Sequence, residues 1–309
     1  MNRSQRFKNS KITNDARSYN DTANLSPDED DKEETKGVAQ MSSISKALEK
    51  EKSKRYFVWS WGKNKSGELS HGGTANALIP RGVRGLKGKH VVWISSGAQH
   101  SAVVTTSGEL LVCGSYLHGK LGLENLTKVN VTTFQSVTAL HGHKVKQVAC
   151  GDYHTLCLLE NGAVYTWGGT LHKKLGAREG GKDFRSPAQV VGLEGIKVIK
   201  VACGDFHSVA LTSNGRIYSW GGGGTSFNKG QCGHGHTKDV ESPEMIESLD
   251  NKNVIEVVCG GYHTLALTDN NELYAWGSGL YGECGFGAFI HTSAPKFVSI
   301  SSKNTLDVL

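Results

Sequence analysis

A Trp-Gly or Cys-Gly pair recurs five times along this chain, at Trp61-Gly62, Cys113-Gly114, Trp167-Gly168, Trp220-Gly221 and Trp276-Gly277, spaced 52, 54, 53 and 56 residues apart. A second signature, Gly-x-x-His, keeps step with it at Gly97/His100, Gly151/His154, Gly204/His207 and Gly260/His263. A third follows each pair as a Gly-rich turn: GELSHG at 67–72, GKLGLE at 119–124, KKLGAR at 173–178, GQCGHG at 230–235 and GECGFG at 282–287. Three features in one register over five periods describe a tandem repeat, in which each unit buries its apolar face against its neighbours.

The local pattern within a period is β. In 197–221, KVIKVACGDFHSVALTSNGRIYSWG, Val198, Ile199 and Val201 mark one strand and the residues after His207 a second. Ser213-Asn214-Gly215 supplies a tight turn, because Asn-Gly accepts positive φ, and Ile217–Trp220 form a third strand. A weaker strand, Pro187–Val191, precedes these. No period shows 3.6-residue spacing, which excludes a helical solenoid. The expectation is an all-β chain, a β-propeller of four-stranded blades. Glycine and proline usage agrees: 39 glycines and 5 prolines suit many tight turns between short strands.

The first 55 residues lack the repeat. They are polar and carry the acidic run Asp28–Glu34, so they bury too little apolar surface to offset their ordering entropy. We read 1–55 as a disordered N-terminal extension and 56–309 as the propeller. No stretch reaches the ~18 apolar residues of a membrane span, and the N-terminus has no apolar signal core. Seven cysteines, an odd number, fit reduced thiols and an intracellular setting, cytoplasmic or nuclear. The net charge of +6 is spread over both halves of the chain.

The composite pattern V-x-x-V-A-C-G-x-x-H-[ST]-x-x-L-T-x-x-G-x-x-Y-x-W-G, followed by G-x-L-G-x-G, resembles the repeat of the regulator of chromosome condensation family. The match spans roughly 56–309, and 145–168, 198–221 and 254–277 fit almost position by position. Members of that family typically close seven blades. From Tyr56 to Leu309 there is room for fewer than five periods, so either about five blades or an incomplete seven-bladed ring is expected. In a closed small ring, Tyr56–Gly62 would pair with strands near the C-terminus.

Several segments invite a chemical reading. Gly277–Gly282 matches G-x-G-x-x-G, but the ECGFGAFIHTSAP that follows is not the helix a dinucleotide site needs, so no cofactor is expected. Cys232, His234 and His236 lie close together, yet Cys232 and Cys284 fill the slot of Leu69, Leu121 and Leu175, which marks a buried small hydrophobe and not a metal ligand. The histidines His100, His154, His207 and His263 recur once per blade and do not converge as catalytic bases would. They are read as structural, each tying its blade's turn to backbone groups, and Trp61, Trp167, Trp220 and Trp276 as repeat framework.

Inside each Gly-x-x-His the two middle residues vary while their surroundings hold: Ala98-Gln99, Asp152-Tyr153, Asp205-Phe206 and Gly261-Tyr262. The resemblance implies that loops at this position face one side of the ring and recognise partners. Gln99, Asp152, Tyr153, Asp205, Phe206 and Tyr262 are therefore the expected partner-binding face, acidic and aromatic, suited to a basic protein surface. The expected function is a non-enzymatic protein-interaction platform with no small-molecule substrate. The alternative the family implies is guanine-nucleotide exchange on a Ran-type small GTPase, with Asp152 and Asp205 matching acidic positions of the founding member. A chromatin role would use the basic Arg3, Arg6, Lys8, Lys11 and Arg17 against phosphates, which the acidic run at 28–34 opposes. Ultraviolet-sensing relatives use face tryptophans, and the face pairs here contain none.

Overall fold

A computed structural model describes residues 58–124, 129–177, 183–222 and 224–299; the expected extension 1–55 lies outside the described residues. Eighteen short strands follow one another: β1 (Trp59–Gly62), β2 (Ala77–Gly82), β3 (Val91–Ser96), β4 (His100–Thr105), β5 (Leu110–Gly114), β6 (Val131–Ser136), β7 (Val145–Cys150), β8 (His154–Leu159), β9 (Val164–Gly168), β10 (Phe184–Gln189), β11 (Val198–Cys203), β12 (His207–Thr212), β13 (Ile217–Gly221), β14 (Val240–Met245), β15 (Val254–Cys259), β16 (His263–Thr268), β17 (Leu273–Gly277) and β18 (Thr292–Phe297). They form four antiparallel four-stranded blades, β3–β6, β7–β10, β11–β14 and β15–β18, and one two-stranded sheet, β1–β2.

Two expectations change here. The strand holding Pro187 precedes β11 in sequence but pairs with β9, through Ala188↔Thr166, so the fourth strand closes the blade before it. The Gly-rich turn first reaches over to the next blade, and the chain then returns to its own third strand. Secondly, β1 pairs with β2, through Trp59↔Gly82 and Ser60↔Arg81, and not with the C-terminal strands. The two strands are the third and fourth of one repeat, and closing that short hairpin costs less loop entropy than bringing the far end of the chain back.

The core lies between blades. Ala102 and Val112 of the first blade meet Val148, Cys157 and Trp167 of the second. Leu156 and Val164 of the second meet Val201, Ala210 and Trp220 of the third, and Val209 and Ile217 of the third meet Val257, Ala266 and Trp276 of the fourth. Each of these three tryptophans is fully buried, worth about 4–6 kcal/mol of transfer free energy before ordering costs. Trp167 Nε1–H donates to Lys120 O of the preceding turn at 2.9 Å, and Trp276 Nε1–H likewise to Gln231 O. That turn is flattened against the indole: a Cβ on Gly122 would stand 2.9 Å from Trp167 Nε1. Cys113 fills the Trp slot of the first blade and points its thiol at Glu68 O. Trp61 is 42% exposed, because no repeat precedes it among the described residues.

The outer faces of the end blades carry exposed apolar residues, Val92 and Ile94 on β3 and Ile255 and Val258 on β15. Among the described residues the apolar clusters join only blades adjacent in sequence.

Candidate functional site

Three of the four repeat histidines, His100, His154 and His207, stitch blade to blade rather than tying a blade's own turn to backbone. His100 Nε2 lies 2.9 Å from Thr155 Oγ1, His154 Nε2 2.9 Å from Ser208 Oγ and His207 Nε2 2.9 Å from Thr264 Oγ1, each on the following blade. Those hydroxyls donate in turn to Lys120 O, Lys174 O and Gln231 O. With its hydrogen committed, each hydroxyl accepts, so Nε2–H is the donor. Burial, reinforced by nearby Lys120 and Lys174, holds the His100 and His154 imidazoles well below their ordinary range and therefore neutral. His263 holds the equivalent place on the last blade and is half-buried.

The same framework sets the variable pairs. The glycine of each Trp-Gly pair has positive φ (119° at Gly168, 94° at Gly221), and a Cβ there would stand 2.4 Å from the carbonyl of Tyr153 or Phe206. The next amide donates to that same carbonyl: Ser115 to Gln99 O, Gly169 to Tyr153 O, Gly222 to Phe206 O and Ser278 to Tyr262 O, at 2.7–2.8 Å. The second residue of every pair is thus held at one height on one side of its blade, on the turns β3–β4, β7–β8, β11–β12 and β15–β16.

Three of the expected face residues converge there. Tyr153 stacks on Phe206 (centroids 5.5 Å apart, planes at 25°), and Phe206 lies 6.0 Å from Tyr262. Phe227, from a short helical turn at Gly224–Phe227, stacks on Phe206 at 5.2 Å and on Tyr262 at 6.2 Å. Tyr153 and Phe227 are exposed, and Phe206 and Tyr262 half-buried. Edge-on imidazoles flank the row: His118 against Tyr153 at 5.3 Å and His172 against Phe206 at 5.2 Å. Behind them, Asp183 and Asp239 carboxylates stand 3.4 and 3.5 Å from the two Nδ1 atoms. Beneath the row, buried Lys174 Nζ lies 5.9 Å from both the Tyr153 and Phe206 centroids and donates to Leu171 O. Burial lowers the Lys174 ammonium to about 8 against the opposing pull of Asp183 and Asp239; Lys120, bonded to Asp152 O, is lowered to about 8 by burial too.

The other expected face residues do not join the row. Gln99 is exposed on the first blade without a ring partner in it. Asp152 is half-buried beside Lys120. Asp205 is a correction to the acidic face: only 4% of it is exposed, its N–H donates to Gly261 O, and a Cβ at 261 would stand 2.9 Å from its carboxylate. Glycine at 261 makes room for Asp205 behind the surface. Phe227, His118, His172, Lys174, Asp183 and Asp239 went unread in the sequence. One signal pointed to Phe227: Gln231 lies ten positions after Gly221, where Lys174 lies six after Gly168.

The remaining chemical candidates take structural places. Cys232 is buried, with its thiol on Gly221 O, and His234 bonds Ser219 Oγ at 2.8 Å. Gly277–Gly282 leads through a turn to β18 without a helix. None of the seven cysteines forms a disulfide, and burial raises the thiols of Cys113, Cys150, Cys157, Cys203, Cys232 and Cys284, Cys150 to about 12. No helix among the described residues is long and apolar enough to cross a membrane.

The RCC1-like domain model matches residues 7–308. This chain belongs to the RCC1-like domain family. It is 35% identical over 246 residues to the ultraviolet-B receptor UVR8 of Arabidopsis thaliana, covering 79% of this chain and 54% of the receptor. It is 36% identical over 247 residues to the E3 ubiquitin-protein ligase HERC2 of Homo sapiens, covering 78% of this chain and 5% of the ligase. The RCC1-like chain therefore spans about half of one relative and a small part of the other. Among solved structures it resembles human WBSCR16 (25% identity, TM-score 0.66, 80% of this chain and 63% of that one). It also shares the fold of yeast RCC1, Prp20, in complex with Kap60 (19% identity, TM-score 0.67, 79% of this chain and 57% of that one).

Proposed function

We propose that this RCC1-like chain is a non-enzymatic protein-interaction platform whose dock is the blade face bearing Tyr153, Phe206, Phe227 and Tyr262. One observation carries the reading: the slots that vary within an otherwise constant repeat place exposed Tyr153 beside half-buried Phe206 and Tyr262 across three blades, joined by exposed Phe227, while the framework tryptophans of those blades are buried. Contiguous exposed apolar surface rimmed by polar groups is characteristic of interaction sites. His100 and His154, by contrast, are held neutral by burial and spent on blade packing, which suits a structural role and not proton transfer.

A second reading is guanine-nucleotide exchange on a Ran-type GTPase. Family membership and the half-buried Asp152 on the face favour it, and the burial of Asp205 removes one of its two acidic side chains. A photo-crosslinking residue placed at Tyr153 in cells tests both, with the same probe at Glu244 on an outer strand as the control. We expect a defined adduct from the face and not from the edge. Identical adducts from both positions would remove the platform reading. A Ran-type GTPase in the face adduct, releasing a fluorescent guanine nucleotide orders of magnitude faster with the chain present, would establish exchange.

A further inference from the structure

The aromatic row has a repeating unit of its own. Asp183, His118 and Tyr153 form one carboxylate–imidazole–ring set, and Asp239, His172 and Phe206 form another in the next blade. Both histidines sit in the left-handed region (φ 61° and 65°), which turns their rings edge-on to the aromatic faces. Phe227 and Tyr262 extend the row beyond the second set. Rings stand 5.2–6.2 Å from centroid to centroid, close to the ~6.6 Å between alternate side chains of an extended peptide. The gaps are too small for another ring to slide between, so a ligand meets outer faces and edges.

Resting on the platform reading, we infer that this row binds an extended peptide carrying arginines at alternate positions. A guanidinium is flat, stacks on aromatic faces and pairs with carboxylates through two parallel N–H groups. Stacking surface comes from Tyr153, Phe206, Phe227 and Tyr262. The carboxylates at the rim are Asp183, whose side chain is 38% exposed, and Asp239, 23% exposed. Lysine fits less well, since it offers a hydrated point charge and no plane. An acidic peptide is disfavoured by the rim carboxylates, and Lys174 cannot compensate because it is buried beneath the rings. Lys174 adds a linked effect: a cation above the rings opposes the ammonium below, so binding expels its proton more readily as pH approaches about 8.

The test is fluorescence anisotropy of labelled peptides with the full 309-residue chain. Four peptides share a Gly/Ala frame with two alternate positions filled by arginine, citrulline (the neutral isostere), leucine or aspartate. The expected result is that the arginine peptide binds, the citrulline peptide binds at least tenfold more weakly, and Phe227→Ala and Asp183→Asn each weaken arginine binding by about tenfold, with far-ultraviolet circular dichroism unchanged. Affinity for the arginine peptide falls as salt rises and strengthens between pH 7 and 8.5. Equal binding of the arginine and citrulline peptides overturns the assignment. Leucine binding that Phe227→Ala weakens, without arginine binding, overturns the arginine chemistry and leaves the platform standing. If no peptide binds while the Tyr153 adduct still forms, arginine recognition falls alone; if neither occurs, both readings fall.

Discussion

The imidazole of His154 shows what one repeated residue does in this molecule. It reaches out of its own blade, donates to Ser208, and Ser208 passes its hydrogen to Lys174 O, so two blades and a turn close on one another through one side chain. Because His100 and His154 are held neutral well below 6.5, the unfolded chain takes up protons at those histidines before the folded one does. Stability is therefore complete above a pH of about 6.5 and declines below it, by up to about 1.4 kcal/mol per pH unit for each histidine. Urea unfolding at pH 7.5, 6.5 and 5.5 should show a midpoint that is steady over the first interval and falls over the second. His154→Asn should start less stable and fall less steeply. A midpoint unchanged down to pH 5.5 would refute the neutral-imidazole account.

At the scale of the strand, the outer edges carry a defence. Pro80, Pro187, Pro243 and Pro295 hold the fourth place in β2, β10, β14 and β18, where the missing N–H denies pairing to another chain. In β6 that place is Phe134, whose N–H is instead taken up by Ser70 Oγ at 2.8 Å. Replacing Pro187, Pro243 and Pro295 together by valine should leave the fold intact and raise edge-to-edge association, seen as concentration-dependent mass by light scattering; a strictly unchanged mass would show that the prolines serve another purpose. Strand positions and the Trp and His framework were legible in the sequence, because each recurs in one register in successive periods. Ownership of the outer strand was not, since pairing across the Gly-rich turn is a tertiary choice that a polar segment such as Phe184–Gln189 does not announce. Nor was the fate of Asp205: Gly-Asp-aromatic-His reads alike at 151 and 204, and the difference lies in Gly261, one blade away.

For the whole molecule, apolar clusters that bridge neighbouring blades make stability a property of interfaces. β8 and β12 lie between two such interfaces and are buried throughout, while alternate residues of β16 are half-buried and β1–β2 rests on one side only. Hydrogen exchange should be slowest in β8 and β12, faster in β16, and fastest in β1–β2. Uniform protection across the blades would show instead that the chain opens as a single unit.

The four extra residues that deliver Phe227 occur in one blade alone. A row built only from the repeat would present the same set in every blade, and a peptide laid along it could slip by one blade. Phe227 removes that degeneracy. It makes one end of the row bulkier than the other, which would give a peptide bound there a single starting point.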